Sequence, residues 1–145
     1  MEYLHSTLRY LILFFLISSI YISFVKWRGK KPFTNGDKIT YLMTLIFCHL
    51  QLVVGIILFL MKNYVKAFSN MDRVMTVPIL RFFTIEHTLL MLLGITFVTI
   101  GYATAKRAKE DVAKHKKTFI FYLIGFILIL AGIPWPFRGF GNDWF

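Results

Sequence analysis

Four long apolar runs dominate the hydrophobic pattern of this chain. They cover residues 8–25, 39–61, 82–105 and 117–134, and each is long enough to cross the core of a bilayer as a helix. Short polar segments join most of them, which favours antiparallel neighbours. The pattern therefore predicts an all-α integral membrane four-helix bundle in up-down-up-down order. We expect one domain, residues 1–145, with helices near 5–26, 39–61, 80–106 and 115–134.

Small and polar residues mark one face on three of these predicted helices. On the third helix they recur at three- and four-residue steps, which places them on a common face. The members of these faces are Thr44, Cys48, Gln51 and Gly55 on the second helix, Thr84, His87, Met91, Gly94, Val98 and Gly101 on the third, and Thr118, Tyr122, Gly125 and Gly132 on the fourth. We expect the glycines to let neighbouring helices approach closely.

The positive charge is concentrated in two loops. The formal net charge is +10, and 11 of the 17 basic residues lie in two short segments, one between the first and second runs and one that leads from the third run to the first residue of the fourth. These residues are Lys26, Arg28, Lys30, Lys31, Lys38, Lys106, Arg107, Lys109, Lys114, Lys116 and Lys117. By the positive-inside rule both loops are cytoplasmic and both termini lie outside. The charge also suits an anionic lipid surface. No nucleic-acid partner is expected, because the loops hold no groove-reading element.

Depth separates the four histidines. Counted from the cytoplasmic helix ends at ~1.5 Å per residue, His5 lies about 32 Å deep, His87 about 29 Å and His49 about 17 Å. His5 and His87 are therefore nearly level in the outer leaflet, whereas His49 is near mid-membrane. His115 stands among lysines in the inner loop, where we expect it to be solvated.

Ionisable groups within a membrane usually have a function and a partner. Haem held by two imidazoles needs one from each side of the iron at similar depth, which favours His5 with His87 as ligands. His49 with His87 is the alternative pair. Arg9 follows His5 by one turn and Arg81 precedes His87, so the two guanidinium groups are expected to bind haem propionates.

Two other interpretations of these residues stay open. Arg9, Arg81 and Glu86 could instead form an interfacial ion network. A quinone or metal site is the remaining interpretation of the buried polar groups.

Four segments carry a family resemblance: HSTLRY (residues 5–10), HLQLVVGIILF (49–59), RFFTIEHTLLM (81–91) and KHKK (114–117). The chain resembles a family of small bacterial four-helix membrane proteins labelled cytochrome B or cytochrome b-like. That resemblance implies b-type haem, electron transfer and the bacterial inner membrane. The chain also resembles, more weakly, one half of haem A synthase. It lacks the EXXHR-like pattern of that family, because in HSTLR the arginine follows the histidine by four residues.

The leading hypothesis is a b-type haem-binding membrane protein in electron transfer, with haem between the first and third helices and a redox partner. The alternative is a non-catalytic structural or assembly subunit of a larger membrane complex. The third is a quinone-binding protein in which His49 and Gln51 contact the ring. No nucleophile–base arrangement appears, so we expect a carrier or subunit and no enzyme on its own. Formation of a homo-oligomer is left open.

The predicted topology is tested by cysteines introduced singly at Ser69, in the long outer loop, and at Lys109, in a basic loop. In intact cells an impermeant thiol reagent should label Ser69→Cys and leave Lys109→Cys unlabelled, with the parent chain, whose single cysteine is Cys48, as the background. The reverse labelling would invert the orientation.

Overall fold

The structure, a computed structural model, describes residues 1–140 and contains helices but no strand in that range. The helices are α1 (Glu2–Arg28), α2 (Asn35–Met61), the short α3 (Tyr64–Ala67) and α4 (Met71–Thr76), α5 (Pro78–Arg107) and α6 (Asp111–Gly132). A 3₁₀ turn, Pro136–Arg138, follows. Helices α1, α2, α5 and α6 are long and apolar enough to cross a membrane, and the predicted all-α membrane bundle is confirmed.

Each long helix extends beyond its predicted bounds at one end or both. Helix α2 begins at Asn35 instead of residue 39, because Thr34 and Asp37 form a capping box. The Thr34 hydroxyl accepts a hydrogen bond from the Asp37 amide at 3.3 Å, and Asp37 accepts one from the Thr34 amide at 2.8 Å. The outer loop, expected to contain a surface helix, contains the short helices α3 and α4.

The four long helices form a ring in which neighbours are antiparallel. Helix α5 packs most extensively on α6, and α1 packs on both α2 and α6. Helices α2 and α5 touch least among the neighbouring pairs. The bundle is therefore tight on three sides and loosely closed along the fourth, between α2 and α5, which we call the α2–α5 seam.

Glycines set the close approach of α5 and α6, as the sequence pattern predicted. A Cβ atom at Gly125 would lie 2.8 Å from the Gly94 carbonyl oxygen, and one at Gly94 would lie 2.7 Å from Ile129. A Cβ at Gly101 would lie 2.7 Å from the Cβ of Phe121. Because no real Cβ can occupy such positions, the two backbones touch at spacings that only glycine allows.

The basic loops meet at one end of the bundle, which we call the basic end. The Phe33 amide, in the α1–α2 loop, donates to Asp111 Oδ2 at the start of α6 over 2.9 Å. Lys26 forms an ion pair with the buried Asp37 at 2.7 Å. These contacts fasten the first loop to α6 and the end of α1 to the start of α2.

His115 lies within this end of the bundle, and the expectation that it is solvated is wrong. Its side chain is completely buried, and its Nδ1 lies 3.0 Å from the Tyr41 hydroxyl. Tyr122 donates to the Tyr41 carbonyl oxygen at 2.8 Å. Helix α6 begins at Asp111, four residues before the predicted start, so His115 lies a full turn inside the helix and faces α2 instead of water.

Gly125→Ala should destabilise the fold, because its methyl group meets backbone that cannot move aside. Overpacking typically costs about 1–3 kcal/mol, part of which the better helix propensity of Ala offsets. Gly36→Ala is the matched control, since a Cβ there meets only a hydroxyl at 3.7 Å. Thermal unfolding in detergent should separate the two variants. Equal midpoints would contradict close backbone contact at Gly125.

His115→Ala should lower the free energy of unfolding by about 2–4 kcal/mol, because it leaves a void and removes the hydrogen-bond partner of Tyr41. His49→Ala serves as the control, since His49 is exposed and its Nδ1 bonds only to the Leu45 carbonyl oxygen of its own helix. Chemical denaturation in mixed micelles measures both. An unchanged His115→Ala protein would mean that the imidazole is solvated after all.

Candidate functional site: a cavity with paired imidazoles

A cavity of about 760 Å³ lies at the end of the bundle opposite the basic end. Residues of all four long helices line it, together with Tyr64 on α3. Polar groups of the lining include His5, Arg9, Gln51, Lys62, His87 and Thr88. A largely apolar cavity of this size with a few convergent polar groups is typical of cofactor sites.

His5 on α1 and His87 on α5 meet in this cavity. Their ring centroids are 6.2 Å apart, and the ring planes are inclined at 65°. The two helices run in the same direction, so residues near their first turns reach the same depth. The count of residues from the basic loops had placed these two histidines level, and the structure brings them together.

The orientation of His87 is fixed by the end of α6. Its Nδ1 lies 2.8 Å from the Gly132 carbonyl oxygen. A carbonyl only accepts, so Nδ1 carries the proton and a neutral ring keeps its lone pair on Nε2. The carbonyl is available because α6 ends at Gly132, where the last carbonyls have no partner within the helix. Metal-binding histidines are held by this kind of bond.

A π-helical turn, Phe82–Glu86, directly precedes His87 within α5. Such turns insert an extra residue into the helix and occur often at functional sites. Phe82 is buried, and its ring stacks on Phe140 at 4.4 Å and lies 6.0 Å from the His87 ring. The turn therefore sets the rotation of α5 at the point where His87 enters the cavity.

His5 rests against α2. A Cβ atom at Gly55 would lie 3.4 Å from His5 Cε1, so a larger side chain there would push the ring aside. Gln51, one turn earlier, donates to the His5 carbonyl oxygen at 2.9 Å. His5 Nδ1 and Gln51 Oε1 are buried and have no hydrogen-bond partner within residues 1–140. Buried polar atoms left in this state are rare and commonly mark a site that receives another group.

The two predicted arginines occupy different places. Arg9 lines the cavity, and its Nη2 donates to the Tyr10 hydroxyl at 3.1 Å. Arg81 is not among the residues that line the cavity. Its Nε donates to Glu86 Oε1 at 2.7 Å, and both side chains are 40% exposed. For Arg81 the structure thus shows the ion pair that was the open alternative to propionate binding.

Lys62 is a positively charged residue of the cavity wall that was not among the site residues predicted from the sequence. It lines the cavity and pairs with Glu2 at 2.6 Å, which joins the end of α2 to the start of α1. The hydrogen bond to Glu2 raises the pKa of Lys62. In the sequence it is one more lysine of the outer loop, and only the antiparallel pairing of α1 and α2 brings it here.

The other histidines lie away from the pair. His49 lines a separate cavity of about 280 Å³ in the α2–α5 seam, and His115 is in the core of the basic end. The structure therefore does not bring His49, the alternative ligand, to His87. Within residues 1–140 no group of three or more His, Cys, Asp or Glu residues is arranged to hold a metal ion. A metal at the paired imidazoles would need its other ligands from elsewhere, as a porphyrin supplies them.

The separation of the two rings suits ligation from opposite sides of one metal. With metal–nitrogen bonds of about 2.0 Å, two nitrogens facing each other across a metal lie about 4 Å apart, and their ring centroids about 6 Å apart. The observed 6.2 Å agrees with that spacing. Two imidazole donors at this separation, in a cavity of this size, are residues of the kind that would hold a haem iron.

In comparisons with known proteins, no family model, curated protein or solved structure matches this chain.

Proposed function

We propose that this chain is a b-type haem-binding membrane protein that takes part in electron transfer. The observation that carries the proposal is the pair of imidazoles, His5 and His87, with ring centroids 6.2 Å apart inside a 760 Å³ cavity. Haem would lie between α1 and α5, and its iron would supply reversible one-electron chemistry. By the positive-inside rule this site would face the outer leaflet, and the family resemblance implies the cytoplasmic membrane of a bacterium.

The chain's own residues have separate roles in this proposal. His87 would bind through Nε2, because its Nδ1 is held by the Gly132 carbonyl oxygen. His5 would bind from α1, with Gly55 giving its ring room. Arg9 and Lys62 are better placed than Arg81 as propionate partners because they line the cavity, and Lys62 would have to leave Glu2 to take that role. Arg81 would have to give up its bond to Glu86 to take that role.

The apolar walls of the cavity have a role of their own. Lining residues such as Met91, Ile129 and Ile133 come from α5 and from the last turn and end of α6. They would exclude water from the iron and from both imidazoles, which favours transfer of electrons over binding of other ligands. A redox protein or a small carrier at the membrane would then exchange electrons with the site.

A structural or assembly subunit of a larger complex remains the alternative proposal, since such a subunit also consists mainly of packed membrane helices. The buried, unpartnered polar atoms of His5 and Gln51 favour cofactor binding over it. Under the structural alternative neither histidine would be needed for function.

The histidine variants test the haem proposal. The purified protein should show the Soret and reduced α-bands of low-spin haem. His87→Ala should abolish them, and His5→Ala should abolish them or convert the haem to high spin, because both imidazoles would hold the iron. His49→Ala should keep a low-spin spectrum, since His49 lines a different cavity. Reduced-minus-oxidised absorption spectra measure all four.

Three further variants complete the set: one controls for the fold and two test the propionate partners. His115→Ala lies at the far end of the bundle, so haem per folded protein should not change even where the yield falls. Arg81→Gln tests whether that arginine binds a propionate, in parallel with Arg9→Gln. Absence of haem from parent protein expressed with ample haem, or loss of low-spin haem in His49→Ala alone, would overturn the proposed site.

A further inference from the structure

The cavity in the α2–α5 seam opens where the bundle is least closed. It has a volume of about 280 Å³, and its lining includes His49 and Leu52 on α2 and Leu92, Thr96 and Thr99 on α5. His49 is 14 residues from the start of α2 at Asn35, about 21 Å along the helix axis, and so lies near mid-membrane. Any occupant must therefore be soluble in lipid.

The polar groups of this cavity present acceptors and no available donors. The Nδ1–H of His49 is used by the Leu45 carbonyl oxygen at 2.9 Å, which leaves Nε2 of the neutral ring as an acceptor.

The two threonines behave in the same way. The Thr96 hydroxyl donates to the Leu92 carbonyl oxygen and that of Thr99 to the Ile95 carbonyl oxygen, both at 2.7 Å. Each hydroxyl oxygen keeps its accepting capacity. Three acceptors at one opening are complementary to a ligand that donates hydrogen bonds.

The seam cavity adjoins the cavity of the paired imidazoles. Leu52, Leu92 and Ile95 line both. Along α2, His49 is six residues from Gly55, which contacts His5, and this is about 9 Å of helix. A ring in the seam would thus lie beside the redox site, separated from it by a few apolar side chains.

We infer that the α2–α5 seam is a binding site for a lipid-soluble quinol, whose hydroxyl donates a hydrogen bond to His49 Nε2 while its ring lies between Leu52 and Leu92. The hydroxyl of a quinol donates, so it is complementary to the acceptors of the seam, and its ring is apolar like the Leu52 and Leu92 side chains of the lining. The choice of a redox-active ring, over another lipid-soluble alcohol, rests on the proposed function.

Nitrogen-15 NMR of histidine-labelled full-length protein in nanodiscs tests this directly, since the chain has only four histidines. Titration with decylubiquinol under argon should shift the Nε2 resonance of His49, assigned with His49→Ala, in a saturable way. Its dimethyl ether, which has no donor hydroxyl, should leave the resonance in place. A shift with both compounds, or with neither, would overturn the proposal.

Variants on α5 give the matched comparison. Thr96→Val with Thr99→Val removes two seam acceptors without changing volume, and apparent affinity for decylubiquinol should fall about tenfold. Thr104→Val removes the same kind of hydroxyl, bonded to the Ile100 carbonyl oxygen, outside the cavity and should bind like the parent. Equal affinity in all three proteins would contradict the assignment of the seam.

Three outcomes separate this inference from others. A His49 shift that follows protein concentration instead of quinol concentration would show that a second copy covers the seam. A quinol-dependent shift in protein that never takes up haem would support the seam site while the haem proposal fails. Low-spin haem without the shift would overturn the seam site alone.

Discussion

The contact between α5 and α6 is the constraint on which the rest of the structure depends. Gly94 and Gly125 let the two backbones touch, and no other residue could stand at either position without moving a helix. In lipid, such packing substitutes for the hydrophobic driving force that water would supply. Because α6 is held so close, its last carbonyl reaches His87 and fixes one of the two imidazoles. A packing contact in the middle of the bundle thus determines the geometry of a side chain near its end.

The loosely closed seam between α2 and α5 is the counterpart of that tight contact. Both cavities occupy this side of the bundle, and both are lined by Leu52, Leu92 and Ile95. Had α2 packed on α5 as closely as α5 packs on α6, neither cavity would exist. The short helices α3 and α4 extend the connection between these two long helices, which frees α2 and α5 from the tight pairing that a short loop would impose.

The two ends of the bundle differ in how their polar groups are paired. At the basic end His115, Tyr41, Asp37 and Lys26 bond to one another or to backbone, and loop Phe33 is tied to α6. At the other end His5 Nδ1 and Gln51 Oε1 remain without partners within residues 1–140. Satisfied polar groups stabilise a fold, whereas unsatisfied ones favour the binding of something else. The basic end therefore stabilises the bundle, and the unpartnered atoms of the cavity end support the ligand site proposed there.

The sequence by itself determined the four apolar helices, the glycine faces and the level placement of His5 and His87, because apolar length and helical rise follow directly from residue count. It could not determine that α6 begins at Asp111 and buries His115, that Arg81 pairs with Glu86, or that Lys62 lines the cavity. It also gave no sign of the π turn before His87, which lacks proline or glycine. These features depend on which helices become neighbours and how each is rotated. Only tertiary packing decides that, since contacts between residues far apart in the chain outweigh local preference.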